Sequence, residues 1–354
     1  MQIRLVPIGS IVSSRFPKLV TVVFGLGVTK SILGSFVSTG MMMRQGVKLM
    51  VGLLGVLKLG LGVHAQPSAN PYPNEVSMTI VGGKREIRSN GIPNHPMGSF
   101  PRRGNPNRVL PQTQRFRVAL APVVSPRALP VGMNPFGVAL NGVVFEPAAA
   151  EWWNRDPGSG WQYEALSINL GMDQNNAHVQ PTGMYHYHGM PRGLLTQLGA
   201  ASGKMTLLGW AADGFPIYGP LAYRNPTDPS SGTKLMRSSF QLRSGTRDSG
   251  PGGRYDGRFV QDFEYVKGTG DLDEFNGRYG VTPEFPKGTY YYCLTEQYPY
   301  IPRSFKGVPD ESFLRRERGR VGVGRRGSGV GTSPGRRRGR SDGPRPDGSR
   351  LRPR

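Results

Sequence analysis

The chain has 354 residues, 45 Lys and Arg against 23 Asp and Glu, a formal charge of +22 and one cysteine. That length holds one large domain or two small ones, and the lone Cys293 excludes both an intramolecular disulfide and a cysteine-based zinc site. The charge sits at the ends: seven basic and no acidic residues in 1–65, and fourteen Arg against three acids in 315–354. A nucleic-acid binder keeps its basic patch on the folded part, so a nearly neutral middle argues against specific nucleic-acid binding.

In chain order, Met41-Met42-Met43-Arg44-Gln45-Gly46-Val47-Lys48 precedes an apolar run from Leu49 to Val63, broken by Lys58. Val63-His64-Ala65 then stands ahead of Gln66. A basic segment, an apolar core and a small-x-small end are the order of a secretory signal. We therefore expect an exported chain beginning near Gln66, with translation starting at Met41, Met42 or Met43. The alternative is a membrane anchor over 19–43, but Lys30 would sit near its centre at a cost of roughly 2.5–3.5 kcal/mol.

Residues 66–113 are rich in Pro, Arg and Asn and read as a loop-dominated entry segment. From Gln114 alternation begins. Phe116-Arg117-Val118-Ala119-Leu120 predicts a strand, and Phe136–Phe145 predicts two strands about the Asn141-Gly142 turn. Pro147 to Trp153 predicts one or two helical turns. Met184–Gly189, Met205–Ala211 and Gly288–Thr295 are further strands, and Asp213-Gly214 and Asn276-Gly277 mark turns. The expected fold over 114–313 is mainly β: one compact domain of antiparallel strands with a few short helices. Beyond it, 314–354 is low-complexity Arg, Gly, Ser and Pro, with too little apolar surface to offset chain entropy. It reads as a disordered basic tail that suits an anionic envelope polymer or membrane surface.

The chemistry concentrates in Met184-Tyr185-His186-Tyr187-His188-Gly189. On a strand His186 and His188 share one face, with Tyr185 and Tyr187 on the other. Two imidazoles so placed can reach one cation. His178 is the natural third ligand. Asp213, Asp273 or Glu274 could add a carboxylate or orient a histidine. The competing reading is a hydrogen-bonded His/Tyr core with no ion. Gly322–Gly327 matches the letters of a dinucleotide fingerprint, but has no strand before it and no helix after it. Cys293, amid Tyr290-Tyr291-Tyr292-Cys293-Leu294, reads as an inert buried thiol.

Tyr185-His186-Tyr187-His188 is the name-giving motif of the YHYH domain family, and the likeness extends further. Asn141-Gly142-Val143, His178-Val179-Gln180-Pro181-Thr182-Gly183, the run Gly209–Pro220, Leu272–Arg278, Gly288–Tyr292 and Tyr298–Arg303 all resemble its blocks. The resemblance spans roughly residues 115–310. It implies an exported bacterial domain and names no reaction. Relatives often carry Cys where Phe275 and Ser304 stand, and His where Tyr291 stands, so a family disulfide is missing here.

Two functions follow as expectations. One is an exported domain binding zinc or copper through His178, His186 and His188, with Asp213 in support; zinc suits hydrolysis and copper oxidative chemistry. The other is a non-enzymatic envelope or extracellular module whose His/Tyr block is core.

Overall fold

The computed structural model describes residues 70–200 and 203–315. The expected signal segment, its membrane-anchor alternative and residues 316–354 of the expected 314–354 tail lie outside the described residues; Arg315, assigned to that tail, is instead tied to Glu146. Among the described residues no helix is long and apolar enough to cross a membrane.

The fold is mainly β. Strands β1 (Val76–Val81), β2 (Lys84–Ser89) and β3 (Gln114–Ala119) form an antiparallel sheet in that order. Next come β4 (Val124–Pro130), β5 (Gly137–Ala139), β6 (Val144–Phe145), β7 (Ala148–Trp152), β8 (Gln162–Glu164), β9 (Ala177–Val179) and β10 (Tyr185–Tyr187). Helix α1 (Arg192–Gln197) leads to β11 (Leu207–Ala211) and β12 (Pro216–Tyr218). The short strands β13 (Leu221–Tyr223) and β14 (Thr233–Leu235) pair, as do β15 (Phe240–Leu242) and β16 (Phe263–Tyr265). The chain closes with β17 (Gly277–Gly280), β18 (Thr289–Cys293) and β19 (Ser304–Gly307), the last pairing with β4.

The central sheet has eight strands in the order β17-β18-β12-β11-β5-β6-β10-β9. It is mixed rather than purely antiparallel: β10 runs parallel to β6, and β12 parallel to β18. The Asn-Gly hairpin forms as the sequence predicts, with Val138 opposite Val144. Gly142 has a φ of +82°, and a Cβ there would run into Ser89 Oγ, so a side chain is excluded twice over.

Two local expectations are corrected. Pro147–Trp153 is not helical; β7 pairs with β8, Ala148 opposite Glu164 and Trp152 opposite Gln162, and only Trp153–Arg155 makes a single 3-10 turn. A run this short cannot nucleate a helix against an available strand partner. The entry segment is not all loop either. Its residues 76–89 form the β1–β2 hairpin, whose buried face rests on little more than Ile87, too sparse an apolar signal to read locally.

The main core joins Phe136, Val138, Val144, Phe145, Tyr187 and Trp210 with Ile217 and Tyr292. Cys293 is wholly buried and unpaired, and burial pushes its thiol up to about 12, as expected of an inert sulfur. Asp213 belongs to this structural layer. Its carboxylate accepts from Tyr292 Oη at 2.5 Å, Gly307 N at 2.9 Å and Phe215 N at 3.3 Å. Burial still raises its pKa from 3.8 to about 6. A carboxyl raised in the fold contributes stability below about pH 4 and loses it as pH rises through about 6. That interval corresponds to about 3 kcal/mol. We expect Asp213→Asn to flatten the fall in stability between pH 4 and pH 6.5, read by urea unfolding across that range. An unchanged slope would contradict the assignment.

Candidate metal centre

The site begins with one hairpin. β9 and β10 pair antiparallel, with His178 directly opposite His186, Ala177 opposite Tyr187 and Val179 opposite Tyr185. Directly opposed residues share a face, so the eight-residue spacing in sequence becomes side-by-side placement. The turn that sets this register is Gln180-Pro181-Thr182-Gly183. Gln180 N donates to Met184 O at 2.9 Å and Gly183 N to Gln180 O at 2.8 Å, with Gly183 at a φ of +87°. His188, two residues beyond His186, falls on the same face.

The three imidazoles converge on one point. His186 Nε2 lies 2.9 Å from His188 Nε2, which lies 3.1 Å from His178 Nε2. Together they form a cluster able to hold one metal ion. The opposite nitrogens fix the tautomers: His178 Nδ1 donates to Leu170 O at 3.0 Å and His186 Nδ1 to Met184 O at 3.2 Å. Their Nε2 atoms are therefore lone pairs, the form that ligates. Burial holds His186 and His188 well below the usual histidine range, and lowers His178 too, so all three are neutral.

Without an ion the arrangement is unfavourable. Only His188 can supply a proton to three facing nitrogens, and its Nδ1 then stays buried with no hydrogen-bond partner. The Glu146 backbone favours a protonated His188 yet stands outside bonding geometry. Zinc–nitrogen bonds of about 2.0–2.1 Å in a tetrahedron separate the ligands by about 3.3 Å. The cluster needs to open by only a few tenths of an ångström to fit. The donor set suits zinc or copper, since it is all imidazole with no thiolate.

Around the triad is a cleft of about 380 Å³, bordered by Asn105, Glu146, Ala149, Pro181 and Arg315. Sequence reading missed Glu146 and Arg315. Glu146 ends the apolar run of β6, and the parallel register of His186 with Val144 brings it to the triad. Its Oε2 lies 3.8 Å from His186 Nε2. Arg315 Nη2 donates to both of its oxygens at 2.6 Å, and Gln180 Nε2 to Oε2 at 2.7 Å. Burial pushes the Glu146 carboxyl up, and those two donors pull it back. A lone acid closing a strand of Val and Phe was the available clue. Nothing local pointed to Arg315.

The tyrosines face the other way. Tyr185 Oη donates to Asp173 Oδ2 at 2.7 Å, and Tyr187 Oη lies 2.6 Å from His95 Nε2 and accepts from Asn141 Nδ2 at 2.9 Å. His95 Nδ1 lies 3.0 Å from Pro96 O, which leaves its Nε2 to accept the Tyr187 proton. Burial pushes both phenols up, so they remain protonated. The strand thus carries both sequence readings at once, a hydrogen-bonded core on one face and converging ligands on the other. We expect Tyr187→Phe to cost about 1–3 kcal/mol, through unpartnered His95 and Asn141, while leaving metal content unchanged. Chemical denaturation and metal analysis of the same preparation check this.

The acidic candidates lie elsewhere. Asp213, at the turn between β11 and β12, is not part of the cluster. Three strand spacings separate β11 from β10, about 14 Å, and its carboxylate is fully engaged. Asp273 caps its own turn, accepting from Phe275 N and Gly277 N at 3.0 Å and from Tyr290 Oη at 2.9 Å, while Glu274 is exposed. Tyr291, where relatives often carry His, sits on β18, five strands from β10, and accepts from Arg278 Nε at 2.6 Å. The residue there takes no part in this triad.

No curated protein and no solved structure matches the chain. The family model described as YHYH protein matches residues 115–307, more than half of the chain and all of the His-bearing hairpin. With the motif, its flanking blocks and the strand that displays it all inside that span, the chain belongs to the YHYH family.

Proposed function

We propose that this is an exported YHYH protein that holds one transition-metal ion, zinc or copper, on the Nε2 atoms of His178, His186 and His188. The observation that carries the reading is three neutral imidazole nitrogens facing one another within 2.9 and 3.1 Å, two of them with Nδ1 tied to a carbonyl. A cation is the partner that satisfies such a set at once. Zinc would supply a Lewis acid, copper a redox couple.

The chain's own residues define what else the site does. Leu170 and Met184 carbonyls orient the rings, and β6 pairs alongside β10. Glu146 and Arg315 stand on the cleft side. Asp213 supports the sheet rather than the ion, because its oxygens are engaged by Tyr292, Gly307 and Phe215. Export is supported by the basic and apolar order of Met41–Ala65 ahead of Gln66.

The test is metal content, by inductively coupled plasma mass spectrometry, on the full chain purified without a histidine tag. We expect near-stoichiometric zinc or copper, or uptake of one ion on titration of stripped protein. A folded protein that neither contains nor takes up either ion overturns the reading.

A further inference from the structure

We propose that the coordination position left open by the three histidines is the binding site of a small oxyanion, a carboxylate or phosphate group, with the remaining N–H groups of Arg315 as its second point of attachment. This rests on the metal reading above and names the class of ligand that the site takes.

All three would ligate through Nε2 as uncharged imidazole rings, His178 and His186 with Nδ1–H held by a carbonyl, so they cancel none of the charge of a divalent ion. Glu146 brings a carboxylate within 3.8 Å of His186 Nε2, but both of its oxygens are bound by Arg315 at 2.6 Å, and one also by Gln180 at 2.7 Å. Ion-paired in this way, it carries no uncompensated negative charge to the ion. A dication in a largely buried site is costly unless an anion accompanies it.

Geometry allows that anion to come from outside. The cleft of about 380 Å³ opens onto the triad, and His178 is its least buried member. Arg315 stands at the mouth with its side chain 40% exposed. Its Nη2 serves Glu146, and among the described residues no acceptor takes the hydrogens of its Nε or Nη1. A guanidinium whose Nε and Nη1 hydrogens meet no acceptor among the described residues, beside an open metal position, is a donor pair for an oxyanion.

The experiment uses the full-length protein stripped and reloaded with cobalt(II), whose visible absorption reports its coordination. Acetate, inorganic phosphate and thiocyanate are titrated separately. We expect each anion that enters to shift the cobalt bands, with acetate alone assigning a carboxylate and phosphate alone a phosphate ligand. Arg315→Ala should keep the cobalt and weaken acetate or phosphate roughly tenfold, because the guanidinium is lost and Glu146 is freed to compete. A wild-type spectrum indifferent to both acetate and phosphate, whether or not thiocyanate shifts it, overturns the proposal while leaving the metal site standing. Indifference in wild type with a response in Glu146→Gln overturns it too, and makes Glu146 the fourth ligand. Failure to take up cobalt, zinc or copper removes the metal reading and this inference together.

Discussion

Replacing His186 and His188 together by alanine is expected to reduce bound metal from about one ion per chain to less than a tenth of that. Two of three ligands disappear, and a single imidazole cannot hold a transition metal against solvent. The two rings are buried, so the double variant also loses packing, and stability alone would not separate a ligand from a core residue. A chelator separates them. Wild type at a free-ion concentration a hundredfold above its dissociation constant should lose about 2.7 kcal/mol on treatment with EDTA, whereas the variant should lose nothing. His178→Ala provides a second arm, since His178 is only partly buried and its loss disturbs less of the interior. If EDTA destabilises neither wild type nor variant, the His face is core and no more.

The largest effect on the fold alone is expected from Phe136→Ala. Phe136 is fully buried just before β5, its ring stacked on Phe305 at 5.3 Å and edge-on to Tyr292 at 4.9 Å. Its N–H donates to Phe145 O at 2.8 Å and its carbonyl accepts from Ala212 N at 2.9 Å, so it ties three strands together. Removing the ring takes away its transfer free energy and leaves a cavity between two aromatics that cannot both collapse into it. We expect a loss of about 3–5 kcal/mol. For a domain of this size that lowers the unfolding midpoint by about 10 °C in a thermal melt. Metal content below the new midpoint should be unaltered, because β10 and β9 lie on the far side of β6. A loss under about 1 kcal/mol would mean that the aromatic stack is not what holds β5 to its neighbours.

The His186/His188 and Tyr187 variants mark a division within one strand. Tyr185 and Tyr187 are tied into Asp173, His95 and Asn141, all satisfied within the protein, whereas His186 and His188 point at each other and at His178. A structural network distributes its protons so that each donor meets an acceptor. The His face does not, and the unpartnered Nδ1 of His188 is where the mismatch shows.

Much of this was legible in the residues. The two-residue period of a strand places His186 and His188 together and the tyrosines opposite them whatever the rest of the chain does. Asn141-Gly142 and Asn276-Gly277 announce turns because few residues tolerate a positive φ, and Phe116–Leu120 and Tyr290–Cys293 declare strands by composition. His178 as the third member of the cluster is legible too, since a Pro-Thr-Gly turn returns the chain on itself within reach of His186.

What the sequence determined, then, was what one strand or one turn decides through backbone stereochemistry. Only tertiary structure decided sheet order and register, which depend on pairings between distant segments. Register brought Glu146 beside His186 and set Arg315, 169 positions later, across Glu146. Sheet order removed Asp213 and Asp273 from the site, and pairing with β8 turned the run after Pro147 from an expected helix into β7. The physical reason is the same each time. Side-chain direction is set by the local backbone, while the identity of the neighbour is set by which strands bury their apolar faces together, and that is a property of the whole fold.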